Sequence, residues 1–398
     1  MAYCIDRSNS GLVLGLFAVH WVVFLLQWAD RKFSVGQMIG LGIVLRTIYI
    51  FTIPELSDDV FRYLWDGLQR IQGISPFEHT PTEWLRQTEN VTFQELYPLL
   101  NSPDYYSIYP PVLQFFDVLA AWAGQGNIHA SIVVLRLFVL IVEFGSILLI
   151  WKLLKTWKMD ERNLMLYAFN PLVIVEFSGS LHNEAFMVFF LLLSLYLLTR
   201  NWQWLSALAF AASVGVKLLP LMFLPFLIKR VGLWRSVLFG ATVGIALMLM
   251  YMPFYSDDLI AHNFDSFSLY FAKFEFNASL YYLIREAGFY VRGYNIIAQT
   301  AVWLPRVVLI SILLLAFFNK DRKLASLPLM MLFAWVIYYA LATTVHPWYI
   351  AVLAMFLPFV KLRFGLVWMV LIPLSYHAYG IDAVQENLWL TALQYMLV

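Results

Sequence analysis

Long apolar segments recur along the chain from Gly11 onward, separated mostly by short polar connections. These runs are long enough to cross a hydrocarbon core of about 30 Å, which takes about 20 helical residues. Closely spaced runs of this length indicate helices, because a membrane β-barrel shows shorter segments of alternating polarity. The pattern therefore predicts an all-α polytopic membrane protein with roughly ten to thirteen transmembrane or re-entrant helices.

Composition supports this class and removes others. Of the 398 residues, 62% are hydrophobic and 13% are charged, whereas about 25% of the residues of a soluble domain are charged. A net charge of +1 without a clustered basic face excludes a nucleic-acid partner. Cys4 is the single cysteine, so neither an intramolecular disulfide nor a cysteine zinc cluster is expected. Residues 11–27 lack a small-residue cleavage site, which favours a retained first helix over a signal peptide. Because no internal repeat is evident, residues 1–398 are interpreted as a single membrane domain.

Charges in the connections orient the chain. Short connections around residues 31–32, 152–162, 200, 229–235, 320–323 and 361–363 carry Lys and Arg, which is typical of cytoplasmic loops. The two long loops, 54–109 and 256–300, are rich in acidic and aromatic residues and are expected on the opposite side. This parity requires residues 110–122 to form a partial or re-entrant helix and residues 202–228 to reverse near 215–220. Broken helices are tolerated where they surround a water-filled cavity, so we expect a cavity open to the non-cytoplasmic side.

The first long loop carries the most informative polar residues. Ser57 is a natural N-cap, and Asp58 and Asp59 would follow in the first helical turn. The next residues predict an amphipathic helix along the membrane surface, with apolar positions at Val60, Phe61, Leu64, Leu68 and Ile71. Adjacent carboxylates beside a cavity can supply a general base or hold a metal ion. The alternative is that both only cap the helix, and that Arg62, Asp66 and Arg70 form surface ion pairs.

Two polar clusters are expected on the same side of the membrane. The first, His182 with Asn183 and Glu184, falls at a turn between two apolar runs and is interpreted as a binding group, although a solvated turn also explains it. The second contains His346 and Trp348 at the end of an outward helix. A binding role and a place in an interfacial aromatic belt are equally open for His346, whereas the belt is the favoured explanation of Trp348, although an aromatic platform would suit a sugar.

Several cationic residues lie within apolar segments. Lys217 is surrounded by Val and Leu, and an unpaired ammonium costs several kcal/mol in hydrocarbon. A lipid-linked phosphate is one candidate partner, and snorkelling to the interface is the alternative. Arg136 and Arg306 are similar candidates near outward helix ends, but Arg136 could instead pair with Glu143. Arg46 lies deeper and is expected to be a counter-ion of Glu176 or Glu143.

A family resemblance connects these motifs. It rests on Asp58-Asp59, residues 73–77 (GISPF), residues 108–111 (IYPP), Asn170-Pro171, residues 182–184 (HNE), residues 215–220 (GVKLLP) and residues 346–349 (HPWY). Together, in this order, they resemble the C-type glycosyltransferases, in particular the bacterial, mannosyltransferase-like branch that uses polyprenyl-phosphate sugars. The motifs cover most of the chain, although each is short.

The resemblance implies an inverting transfer of a sugar, with mannose favoured, from a polyprenyl-phosphate donor to a hydroxyl of a lipid or glycan acceptor. It implies a base at Asp58 or Asp59, and the placement is ambiguous by one residue. The substrate-binding residues are then expected to be Arg62, Tyr63, Tyr109, His182, Asn183, Glu184, Lys217, His346 and Trp348. Lys217, Arg136 and Arg306 are expected to bind the lipid phosphate.

Several expectations concern the wider reaction. The site is expected outside the cytoplasm, in a bacterial plasma membrane, and residues 256–300 are expected to cover the cavity. No nucleotide site is expected, since no Gly-rich phosphate loop is present. A divalent cation at Asp58, Asp59 and Glu184 stays open. The competing functions are a lipid-linked glycan flippase or secondary transporter, in which the buried charges form a coupling path, and a glycan ligase or polymerase.

Overall fold

The computed structural model describes residues 3, 5–30, 32–263, 266, 273–379 and 385–398. Cys4 and Arg31 lie outside the described residues, as do Phe264, Asp265 and residues 267–272 of the second long loop. The first half of the chain forms seven α-helices in the described residues: α1 Ser10–Asp30, α2 Val35–Thr47, α3 Asp59–Ile71, α4 Pro81–Leu85, α5 Val91–Leu96, α6 Pro111–Gly124 and α7 Ile128–Thr156.

The rest of the chain is also helical in its described part. Its α-helices are α8 Met165–Ala168, α9 Pro171–Val173, α10 Glu184–Thr199, α11 Gln203–Val214, α12 Ile228–Val231, α13 Leu233–Tyr251, α14 Leu280–Arg292, α15 Ile297–Phe318, α16 Leu327–Leu341, α17 Pro347–Ala351, α18 Phe364–Leu371 and α19 Leu388–Leu397. A π-helix, Ile174–Gly179, follows α9, and a 3₁₀ segment, Leu219–Leu227, follows α11.

Five helical segments of the described chain are long and apolar enough to cross a membrane: Ser10–Asp30, Ile128–Thr156, Leu233–Phe254, Ile297–Phe318 and Leu324–Leu341. A bent pair, Pro171–Gly179 with Glu184–Thr199, can count as a sixth span, and six shorter apolar helices accompany them. This architecture confirms the predicted all-α, polytopic membrane class. Most of the expected ten to thirteen apolar segments are thus present, but about half are too short to span on their own.

The helix of the first long loop is buried rather than lying exposed on a surface. α3 begins one residue later than predicted, with Asp58 at the N-cap and the Ser57 hydroxyl accepting a hydrogen bond from the Asp59 amide at 3.3 Å. Every residue from 60 to 67 is buried, because α3 packs along α6 and also contacts α5 and α7. A Cβ built on Gly67 would lie 2.3 Å from the carbonyl oxygen of Asp117 on α6. Glycine is therefore required for this close approach.

Two breaks in the helical pattern shape the centre of the molecule. α11 ends at Val214, and a turn over residues 215–218 precedes the 3₁₀ segment, so the helix is broken within the range where the sequence predicts a reversal. At the second break, the Asn170 side chain caps α9 by accepting from the amides of Leu172 and Val173. The π-helix that follows meets α10 at a bend of 114°. Residues 180–183 form this bend and bring polar side chains into the interior.

Buried charges hold neighbouring helices together. Arg46 on α2 is fully buried and donates to Glu143 on α7 at 2.7 Å, which is one of the two counter-ions expected for it. Arg136 does not pair with Glu143. Its guanidinium donates instead to the carbonyls of Tyr49, Thr52 and Gly179.

Candidate active site

A cavity of about 830 Å³ lies among the helices. Its lining includes polar and aromatic residues from elements that are far apart in sequence, among them Asp59 and Tyr63 on α3, Tyr109 before α6, His182, Asn183 and Glu184 at the bend, Lys217 after α11, and Trp348 on α17. Apolar residues of α13, among them Leu247 and Met248, form another part of the wall. The loop, bend and helix breaks predicted from the sequence thus meet around one space.

The two adjacent aspartates have different environments. Asp59 lines the cavity, with its Oδ1 accepting from Asn101 Nδ2 at 2.9 Å and its Oδ2 lying 3.8 Å from His182 Nδ1. Asp58 is absent from the cavity lining and pairs with Arg7 at 2.6 Å. Neighbouring residues in a helix point about 100° apart. The structure therefore brings one carboxylate of the pair to the cavity.

The surroundings of Asp59 change its acidity. Burial is the main cause that raises the pKa of Asp59 to about 6, and the nearby carboxylates of Glu184 and Asp58 act in the same direction. The hydrogen bond from Asn101 and the charge of Lys217 oppose this rise. A carboxylate with a pKa near 6 is a stronger base than an ordinary aspartate and is still ionised at neutral pH.

Lys217 carries the positive charge of the cavity. Its Nζ lies 2.6 Å from Glu184 Oε1 and 3.9 Å from the centre of the Tyr349 ring. The side chain is 30% exposed and lines the cavity, so it does not need to snorkel along a lipid-facing surface. Among the described residues that line the cavity, it is the one Lys or Arg.

Stacked rings form one side of the site. Trp348 lies between two imidazoles, with ring centres 3.9 Å from His182 and 4.2 Å from His346, and Phe276 stacks on the other face of His346 at 4.8 Å. Since both faces of Trp348 are covered, its edge rather than its face is presented to the cavity. His346, expected as a binding residue, does not line the cavity and supports the Trp348 ring instead.

Other residues expected at the site fall into two groups. Tyr63 and Tyr109 line the cavity as an edge-to-face pair with centres 4.8 Å apart. Arg62 does not line the cavity; it is buried and donates to Asp66 at 2.7 Å and to backbone carbonyls. The Arg62–Asp66 ion pair is thus formed, but it is buried and not on the surface as predicted, while Arg70 lies over the Phe254 ring.

The two arginines expected beside Lys217 lie elsewhere. Arg136 is fully buried, and its NH groups bond to protein oxygens. Arg306 lies over the Trp303 ring at 5.0 Å on α15, and neither arginine lines the cavity. Hydropathy could not separate them from Lys217, because all three occur in similar apolar surroundings.

No group of three or more His, Cys, Asp or Glu side chains in the described residues is arranged to hold a metal ion. Asp58, considered from the sequence as a ligand with Asp59 and Glu184, is engaged by Arg7. The geometry therefore lends no support to a three-carboxylate metal centre.

Sequence reasoning missed three features of the site. Asn101 bonds to Asp59, the buried carboxylate of Glu176 lies 3.5 Å from His182 Nε2, and Tyr376 donates to Glu176 at 2.6 Å. Asn101 and Tyr376 lie far in the chain from the residues they contact, whereas Glu176 and His182 come from the two sides of the same bend. The acidic residue within an apolar run was the one available signal for Glu176, while Asn101 and Tyr376 belong to no motif.

The protein is thus a helical membrane protein whose central cavity combines carboxylates and a lysine with an apolar wall. A family model described as alpha-(1->6)-mannopyranosyltransferase, N-terminal domain, matches residues 8–232. Because this match covers more than half of the chain, the chain belongs to that family, and the resemblance described above is confirmed. The matched region includes Asp59, the bend and Lys217, but it ends before Trp348.

Two curated relatives have the same name, alpha-(1->6)-mannopyranosyltransferase A. The protein of Mycobacterium tuberculosis is 24% identical over 238 residues, which is 56% of this chain and 44% of that protein. The protein of Corynebacterium glutamicum is 25% identical over 199 residues, which is 47% of this chain and 39% of that protein. The matched region thus spans less than half the length of either relative.

Proposed function

We propose that this chain is an inverting mannosyltransferase that moves mannose from a polyprenyl-phosphate donor to a hydroxyl of a lipid or glycan acceptor. The observation that carries the proposal is that Asp59 and Lys217 line one 830 Å³ cavity together with an apolar wall. A base, a cation for an anionic leaving group and a surface for a lipid chain are the groups this transfer needs. The choice of mannose rests on the family and on the names of the relatives.

Asp59 is the proposed general base. Its Oδ1 accepts a hydrogen bond from Asn101, while Oδ2 accepts none from the described residues and is the oxygen nearer to His182. In the proposed step, Oδ2 accepts the proton of the acceptor hydroxyl while the hydroxyl oxygen bonds to the anomeric carbon. The bond from that carbon to the phosphate oxygen breaks on the opposite side, so one displacement inverts the configuration. Asp58, held by Arg7, has no part in this step.

Lys217 is the proposed partner of the departing phosphate. It now contacts Glu184, and at 30% exposure its ammonium can bind a phosphate oxygen from the cavity. A lysine acts as a compact charge with three donors, so it can keep Glu184 as a second partner. Fixed charges in a site of low water content stabilise developing negative charge more strongly than charges in bulk water do.

The α13 wall is the proposed path for the polyprenyl chain. Leu247 and Met248 line the cavity, and Met248 is 75% exposed. We propose that the cavity opens laterally toward the bilayer beside this exposed apolar residue. The sugar and phosphate could therefore occupy the polar end while the chain stays in hydrocarbon.

The reaction is proposed to occur on the non-cytoplasmic side of a bacterial plasma membrane. The distribution of Lys and Arg among the short loops supports this orientation. Asp59 lies near the start of the first long loop, which is rich in acidic and aromatic residues, and the bend residues His182 to Glu184 line the same cavity. The second long loop, 256–300, is proposed to cover the cavity, since Leu259, Ile260 and Asn263 line it.

The decisive experiment uses purified, reconstituted protein, radiolabelled polyprenyl-phosphate mannose and an extracted lipid acceptor pool. The expected result is labelled product whose new linkage has the configuration opposite to that of the donor. Parallel reactions with a chelator show whether a divalent cation assists Lys217. Loss of donor from one leaflet without any covalent product would instead establish a flippase, and retention of the donor configuration would refute the single displacement.

A further inference from the structure

Asp59 is held by a residue from a distant part of its loop. Asn101 Nδ2 donates to Asp59 Oδ1 at 2.9 Å across 42 positions of sequence. The orientation of the Asn101 amide is itself fixed, because its oxygen accepts from the Ser102 hydroxyl at 2.9 Å. The NH₂ group therefore faces the carboxylate, which can only accept when ionised.

The segment that carries Asn101 is tied to the helix that carries Asp59. Arg62, almost one turn along α3, donates to the carbonyl of Ser102 at 3.0 Å and to the carbonyl of Tyr105 at 2.9 Å. The same guanidinium bonds to Asp66 at 2.7 Å. Both ends of the Asn101–Asp59 hydrogen bond are thus anchored to α3, and this explains how an exposed loop can present its amide at a defined place.

We infer that Asn101 is a positioning residue that fixes the orientation of the Asp59 carboxylate and favours its ionised form. By engaging Oδ1, it leaves Oδ2 as the oxygen available in the cavity. The inference rests on the proposed function where it concerns the general base, but the effect of Asn101 on the carboxylate does not depend on transfer. A second role, holding the loop together, would not change how Asp59 binds a proton.

The other groups around Asp59 make a donor necessary. Asp58 precedes it in the chain, Glu184 faces it from α10, and both carboxylates disfavour its ionised form. His182 lies 3.8 Å away at the bend, beyond hydrogen-bond distance, and Lys217 across the cavity is engaged by Glu184. Within the part of the chain that the structure describes, Asn101 is the side chain that donates a hydrogen bond to the Asp59 carboxylate.

The test compares Asn101→Ala and Asn101→Asp with a matched control, Asn90→Ala. Asn90 lies in the same loop and caps α5 by accepting from the Thr92 amide at 2.9 Å, so its loss perturbs the loop without touching Asp59. The readout is infrared titration of the protonated carboxyl band that is present in wild type and absent in Asp59→Asn. The expected upward shift of the midpoint is about one pH unit in Asn101→Ala, larger in Asn101→Asp, and absent in Asn90→Ala.

The acid limb of the pH dependence of mannose transfer is expected to shift in each variant by the same amount as the infrared midpoint. An unchanged infrared midpoint in Asn101→Ala would overturn the inference, and so would an equal shift in Asn90→Ala. Reduced transfer in Asn101→Ala and Asn101→Asp with unchanged infrared midpoints would also overturn the inference. That result would mean that Asn101 has a structural role only. If wild type transfers no mannose, the proposed function fails, while the infrared midpoints still decide the role of Asn101.

Discussion

The sharpest prediction concerns the two adjacent carboxylates. Asp59→Asn keeps the shape of the side chain, and its new amide oxygen can still accept from Asn101, but it cannot accept a proton from the acceptor hydroxyl. Losing a positioned general base costs about 10²- to 10⁴-fold in rate. We expect Asp59→Asn to lower kcat by that factor while the KM of the donor changes little, because the donor phosphate is assigned to Lys217.

Asp58→Asn is the matched control for Asp59→Asn, because it makes the same change at the neighbouring position. Its ion pair with Arg7 is formed by side chains that are 38% and 30% exposed, and such pairs contribute about 0–1 kcal/mol. Even if all of this were lost from the transition state, the rate would fall by no more than about fivefold. The structure therefore predicts that the transfer rate of Asp59→Asn is lower than that of Asp58→Asn by at least about twentyfold.

The assay is mannose transfer by reconstituted protein, measured from initial rates between pH 4 and 8. Because burial raises the pKa of Asp59 to about 6 and the base must be ionised, wild-type activity should be present above this pH. It should fall tenfold per unit below it. Thermal unfolding of each variant controls for folding. Equal losses in Asp58→Asn and Asp59→Asn, or an unaltered acid limb in Asp59→Asn, would refute the reasoning.

Three further predictions test charges and packing. Lys217→Met should lower kcat/KM for the donor by about 10²-fold or more, with partial recovery in Lys217→Arg, in the same transfer assay. Arg46→Met should destabilise the protein by about 3–5 kcal/mol in denaturant unfolding, because Glu143 stays buried without its counter-ion, and Glu143→Leu in addition should restore most of the loss. Gly67→Ala should cost about 1–3 kcal/mol because its Cβ would meet the α6 backbone, while Gly40→Ala, with nothing within 4 Å, should not destabilise. Equal melting temperatures for the two alanine variants would contradict the described packing.

The class of fold could be predicted from the sequence because it depends on hydropathy over whole segments. The break near Gly215 and the turn at His182 to Glu184 could be predicted for the same reason, since proline, glycine and polar residues interrupt long apolar runs. The meeting of Asp59, the bend residues and Lys217 followed from placing all of them on one side of the membrane. In each case the signal is local and strong.

Choices between similar residues could not be made in this way. Whether Asp58 or Asp59 faces the cavity depends on where α3 begins, and a shift of one residue rotates a side chain by about 100°. Lys217 and Arg136 have similar apolar surroundings in the sequence. The tertiary packing decides that Lys217 lines the cavity while Arg136 donates to backbone carbonyls. Asn101 was missed because its contact with Asp59 is set by a loop conformation that no local pattern encodes.

The close approach of Gly67 to α6 has a mechanical consequence. Two helices that leave no room for a methyl group between them cannot slide past each other without separating. We therefore expect α3 and α6 to move as one rigid unit. Asp59, the proposed base, lies at the start of α3 and therefore belongs to this rigid unit. We therefore expect substrates to be brought to a stationary base, and any gating to come from parts of the cavity wall outside α3 and α6.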